Sequence, residues 1–171
     1  MSLKPTVSNT DHVQGNLEAD LVIVEYGDYQ CPYCGAAYPI LKDLMSHFQN
    51  QVRFVFRNFP LSEIHQYAKP AALAAEAANL QGKFWEMHDA IYENQQNLDE
   101  NFLLELAENL ELDVSKFKTD INSKALEEKV EGDFESGILS GVNGTPSFYV
   151  NGKKFNGGAE DLFQMVTENA G

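Results

Sequence analysis

Hydrophobic positions change their spacing along the chain, and the changes divide it. Residues 21–26, LVIVEY, form a short β-branched apolar run, the pattern of a buried strand. Beyond it, Ala37, Ile40, Leu41, Leu44, Met45 and Phe48 recur at helical spacing. Pro39 lies inside that helix, where it removes a hydrogen bond and predicts a bend. VRFVFRNF, residues 52–59, returns to strand character, and Pro60 closes it. Strand, helix and strand in this order predict a βαβ unit with parallel strands.

From about Ile64 to Ser140 the periodicity is helical throughout. Pro70 suits a first helical turn and leads into the alanine-rich AALAAEAANL. Phe84, Trp85, His88, Ile91 and Tyr92 share one face, and Phe102, Leu103, Leu106 and Leu110 mark another helix. Leu126, Val130, Phe134 and Ile138 then repeat every four residues, so the segment predicts a bundle of helices without a strand. Near the end, PSFYV and KKF flank Asn151-Gly152, a hairpin signal because both central residues of a type I′ turn need positive φ. A last amphipathic helix follows Gly158, with Leu162, Phe163 and Val166 as its apolar positions. The reading is an α/β domain of residues 1–61 and 141–171, interrupted by a helical insertion over 62–140.

Composition narrows the function. The chain has 171 residues, a net charge of −14 and a pI near 4.5, which argues against nucleic acid and anionic membranes as partners. No apolar run approaches the roughly 18–20 residues of a membrane span. The N-terminus shows no basic segment followed by an apolar one, so a cytoplasmic location is expected; an extracytoplasmic one is the alternative if the chain is truncated.

Two cysteines, Cys31 and Cys34, stand two residues apart in GDYQCPYCGAAYP. A structural disulfide is the weakest reading, because so short a loop constrains the unfolded chain little. A zinc site needs four ligands. Twelve residues separate Cys34 from His47, as in half a zinc finger, but positions 51–53 are Gln51, Val52 and Arg53. No metal is therefore expected. Redox chemistry needs less. Residues three apart share a helical face, so the two cysteines can reach disulfide distance. If Cys31 caps the helix, free N–H groups and the helix dipole favour its thiolate, and Pro32 suits the first helical position. Cys34, a turn deeper, is expected to be shielded, leaving Cys31 exposed to attack and Cys34 to resolve. Far along the chain, Pro146 directly precedes a strand in GVNGTPSFYVNG. A trans proline opening an edge strand is what the residues alone favour, with a cis bond as the rarer solution.

VEYGDYQCPYCGAAYP, GKFWEMHD and GVNGTPSFYVNG together resemble the DsbA-like branch of the thioredoxin superfamily, from about Asp11 to the last helix. The resemblance implies a thioredoxin-like fold with an inserted all-helical domain. It also implies a cofactor-free thiol–disulfide oxidoreductase acting on thiol- or disulfide-containing proteins or small thiols, with a redox partner that recycles it. By the same resemblance Cys31 attacks, Cys34 resolves and Pro146 is a cis-proline facing the pair. Thr145 offers its backbone to an extended substrate segment, and Glu25 helps move protons beneath the cysteines. Tyr33 departs from the best-known members, which carry histidine there. Without that cation, and with Asp28 and Glu25 nearby, the reduced pair should be less favoured. Arg53 or Arg57 is a candidate partner for Glu25, and His65 reads as a helix-end or packing residue. A monomer is expected, with the insertion packed over the cysteine edge. The competing readings are a peptide-binding chaperone or adaptor with a thioredoxin-type groove, and a glutathione-linked transferase.

Overall fold

The apolar runs that open and close the predicted βαβ unit pair as neighbouring parallel strands. A computed structural model describes residues 1–170. In it, β2 (Leu21–Gly27) and β3 (Val52–Asn58) are joined by α1 (Pro32–Phe48), which continues through Pro39. A further strand, β1 (His12–Gly15), lies antiparallel to β3, with His12 opposite Phe56. The chain returns through β4 (Ser147–Val150) and β5 (Lys153–Phe155), completing a sheet of order β1-β3-β2-β4-β5. The predicted turn joins the last two strands, with positive φ at Asn151 (49°) and Gly152 (84°).

Strand β1 is absent from the sequence reading. Its four residues, HVQG, have too little apolar pattern to announce a strand, and only the β3 edge makes them one.

Between β3 and β4 lie α2 (Ala68–Asn79), α3 (Phe84–Glu93), a short 3₁₀ turn (Gln95–Asn97), α4 (Glu100–Asn109), α5 (Val114–Asp120) and α6 (Lys124–Ser140). The starts of α4, α5 and α6 are set by side-chain caps: Asp99, Asp113 and Ser123 accept from Phe102, Lys116 and Leu126 N–H. Gly141, at φ 92°, ends α6 in the left-handed conformation that glycine adopts without strain. Helix α2 buries Ala71, Ala72, Ala74, Ala75, Ala77 and Ala78, and side chains this small let α3, α4, α5 and α6 all pack on it.

Strand alternation divides the core. Ile23, Phe54, Phe56 and Phe148 face α1, α3 and α7 (Ala159–Asn169). Val24, Tyr26, Val55 and Tyr149 face the other way, with Phe59 and, from α6, Phe134. Because β2 and β3 are parallel, the loops leaving their C-terminal ends emerge at one end of the sheet. The loop entering β4 lies there too, since β4 runs antiparallel to β2.

Candidate active site

These three loops carry the cysteine pair, residues 59–67 and the Thr145-Pro146 dipeptide. Cys31 is the N-cap of α1, with extended backbone (φ −69°, ψ 124°), and Pro32 opens the helix. Both cysteines are free thiols. Cys34 is 0% exposed, as its depth in the helix predicts, while Tyr33 between them is 75% exposed. Cys31 is less open than the sequence suggests, at 4% exposure. The chain before β4 covers it: the Thr145–Pro146 peptide is cis, and the Cys31 sulfur lies 3.6 Å from the Thr145 carbonyl oxygen.

The sulfurs are electrostatically unequal. A hydrogen bond from the Cys34 thiol, the Thr145 side chain, and the N–H groups of Cys34 and Tyr33 outweigh burial and bring the Cys31 pKa down to about 5. Burial pushes Cys34 well up, reinforced by its hydrogen bond to Cys31 and by the charge of Glu25. Glu25 is 2% exposed and lies on the same face of β2 as Ile23, beneath α1. Burial, helped by negative charge on Cys31, raises its pKa to about 8. One site thus holds an ionised sulfur, a protonated sulfur and a protonated carboxyl.

A sequence model described as thioredoxin matches residues 7–167. The chain belongs to the thioredoxin family. Solved structures of thioredoxin-like and DsbA-type proteins share its fold. A thioredoxin-like oxidoreductase from Silicibacter pomeroyi DSS-3 superposes with a TM-score of 0.78 at 29% identity, over 95% of this chain and 93% of that one. The thiol-disulfide exchange protein α-DsbA2 of Wolbachia pipientis gives 0.82 at 22% identity, over 95% and 88%. BdbD of Bacillus subtilis gives 0.80 at 24%, over 94% and 91%, so these two show a shared fold. Among curated sequences, Na⁺/H⁺ antiporter NhaA 1 of Salinispora arenicola (strain CNS-205) is 44% identical over 153 residues, or 90% of this chain. The chain spans only 23% of that relative's length. Among the described residues no helix is long and apolar enough to cross a membrane.

In this thioredoxin-family chain the arginines do not serve Glu25. Arg57 stands opposite Tyr26 and Arg53 opposite Val22, which puts both on the sheet face away from Glu25. Arg57 instead donates to Asp11 through Nε (2.8 Å) and Nη2 (2.9 Å), and to the Tyr26 hydroxyl.

His65 is also more than a packing residue. Its Nδ1 donates to Asp28 Oδ2 at 2.7 Å. Asp28 is 1% exposed and accepts three further bonds, from the N–H groups of Gln30, Cys31 and Leu61.

Further residues grip the loop from α3 and the turn after it. Gln95 Nε2 donates to the carbonyls of Tyr29 (2.9 Å) and Cys31 (2.8 Å), and the Tyr92 hydroxyl donates to the Asp28 carbonyl at 3.5 Å. His88 Nδ1 is hydrogen-bonded to the Tyr29 hydroxyl at 2.9 Å. The helical periodicity marks His88 and Tyr92 as core, but nothing in the local pattern of Gln95 or Thr145 announces contact with Cys31.

Proposed function

We propose that the protein is a protein-disulfide oxidoreductase working by dithiol–disulfide exchange through Cys31 and Cys34. The observation that carries this reading is the inequality of the two sulfurs: Cys31 ionises at about 5 at the start of α1, while Cys34 is buried and kept protonated. That is the division between attacking and resolving thiol that exchange requires.

In the reducing direction the Cys31 thiolate attacks a substrate disulfide, forming a mixed disulfide and releasing one substrate thiolate. Cys34 then gives its proton to the substrate thiolate released in the first step and attacks Cys31, which closes the bridge and expels the second thiolate. The substrate gains two electrons and the cysteine pair loses two. In the oxidising direction a substrate thiolate opens the bridge at Cys31, and Cys34 leaves as a thiolate. Glu25, protonated up to about pH 8, gives it a proton. A second substrate thiolate then releases Cys31.

Thr145 presents its backbone beside Cys31, where an extended substrate segment can pair with it, and the cis-Pro146 follows directly. Pro32 and Tyr33 shape the exposed rim. The substrates are proteins or small molecules carrying thiols or disulfides, and a separate thiol–disulfide partner returns the pair to its working state. Residues 1–61 and 141–171 act as the thioredoxin-like unit, and residues 62–140 hold the cysteine loop from the side.

Insulin reduction by wild type, Cys31→Ser and Cys34→Ser tests the proposal. Wild type should be active and Cys31→Ser inactive, while Cys34→Ser should accumulate a mixed disulfide on Cys31, visible by mass spectrometry. Equal inactivity of wild type and Cys31→Ser, with both still holding peptide, would favour the chaperone or adaptor. Faster turnover of a glutathionylated peptide than of protein disulfides would favour the transferase.

A further inference from the structure

The loop that delivers Cys31 to α1 is organised around one carboxylate. Asp28 Oδ1 accepts the N–H of Gln30 (2.7 Å) and of Cys31 (3.2 Å). Its Oδ2 accepts the Leu61 N–H (2.9 Å) and His65 Nδ1 (2.7 Å). The first pair belongs to the cysteine loop and the second to the segment after β3, so one side chain ties two loops separated by more than thirty positions (Asp28 and His65 are 37 apart). The Asp28 carboxyl is fully buried, and the His65 side chain is 18% exposed. A carboxylate only accepts, so the His65 Nδ1 carries the hydrogen of this bond.

A negative charge next to a thiol opposes its ionisation, yet Cys31 is the sulfur that ionises easily. The donors gathered on Asp28 answer part of this conflict. Three are backbone N–H groups, which any substitution other than proline leaves in place. The fourth is His65.

We propose that His65 is a positioning residue of the exchange site: by donating to Asp28 it holds the loop that carries Cys31 and offsets the carboxylate charge that opposes the Cys31 thiolate. The inference deepens the exchange reading and rests on it. It also gives this Cys-Pro-Tyr-Cys protein a histidine acting on the site from outside the motif, where Tyr33 supplies no positive charge. The other ionisable groups facing the loop are Glu25 from β2, Cys34 from α1, and Tyr29, His88 and Tyr92 in the cluster at α3. None of them bonds to the Asp28 carboxylate.

The test is the rate of iodoacetamide alkylation of Cys31 against pH in the reduced protein, read peptide by peptide by mass spectrometry. It needs no exchange activity, so the exchange reading and this one can fail separately. His65→Ala should raise the midpoint of the profile, making alkylation at pH 5 about fivefold slower. His65→Gln, which keeps a donor, should recover most of that rate. Asp28→Asn should move the midpoint the other way, because it removes the opposing charge. In an Asp28→Asn background, His65→Ala should have no further effect. Thermal unfolding of each variant checks that it is folded, and if Asp28→Asn does not fold, the His65→Ala and His65→Gln comparison decides. An unchanged midpoint in His65→Ala overturns the proposal. So does a shift of the same sign in both single variants, as a merely loosened loop would give, or a His65→Gln no better than His65→Ala.

Discussion

Glu25 keeps its proton to about pH 8 in the folded protein, against an ordinary value of 4.5. Between those values the unfolded chain has lost the proton and the native one has not, so this residue makes stability fall as pH rises. Cys31 acts oppositely. Its folded value of about 5 lies below the ordinary 9.0, so the unfolded chain binds more protons between pH 5 and 9 and the reduced protein gains stability as pH rises. Glu25→Gln removes the falling contribution and leaves the rising one. The variant should be more stable than wild type at pH 8.5 by about 3–5 kcal/mol, with a smaller advantage at pH 6, measured by urea unfolding of the reduced protein. It should also exchange disulfides about tenfold or more slowly at pH 7, because the carboxyl proposed to protonate Cys34 is gone.

At the scale of elements, the cysteine loop is held between two others. The segment after β3 takes its Asp28 side, while α3 and the 3₁₀ turn take its carbonyls through Tyr92 and Gln95. A side chain at Gly35 would reach Gln95, since a Cβ there would stand 2.1 Å from Gln95 Oε1. Glycine therefore leaves the space that lets the amide turn its nitrogen onto Tyr29 and Cys31. Gln95→Ala should destabilise the protein by about 1–2 kcal/mol in urea unfolding, the cost of leaving the Tyr29 carbonyl without its donor and the Cys31 carbonyl with the Gly35 N–H alone. Its effect on insulin reduction should exceed its effect on peptide binding, because the loop it frees carries Cys31, the sulfur proposed to react.

Across the whole molecule, a buried polar network joins the inserted helices to the sheet. His12 of β1 donates through Nε2 to Glu76 of α2 at 2.7 Å and stacks on Phe84 of α3 with ring centroids 3.6 Å apart. Asn58 at the end of β3 donates to both Glu76 and Asp133 of α6, and Lys129 pairs with Asp133. Burial raises the Glu76 carboxyl, but the His12 hydrogen bond and the nearby positive charges outweigh it and hold the pKa below 4.5. Its stabilising contribution is therefore present above pH 4.5 and lost as pH falls through the folded value. Glu76→Ala leaves the buried His12 without its partner and Asn58 with Asp133 alone, and should cost about 3–5 kcal/mol at pH 7, with a smaller loss at pH 3, by urea unfolding.

Features that rest on local spacing were legible along the chain. Two β-branched runs around an amphipathic helix specify a parallel βαβ unit, because strand and helix periods differ and neither pattern suits the other element. Asn151-Gly152 specifies the hairpin through its positive φ, and the long helical period announces the helices that lie between β3 and β4. The position of Cys31 and Cys34 at a strand-to-helix boundary was legible for the same reason, down to the deeper burial of Cys34. Only the tertiary structure decided which distant groups meet that pair. Strand β1 exists because the β3 edge offers it partners, and register turns Arg53 and Arg57 away from Glu25. The carbonyl of Thr145 closes over Cys31, so this sulfur is less open than its place on the helix suggests. Asp28, His65 and Gln95 converge from three loops whose separation along the chain carries no periodic signal. Hydrogen bonds between such loops depend on where parallel strands end in space, and a one-dimensional pattern of polar and apolar residues holds no record of that.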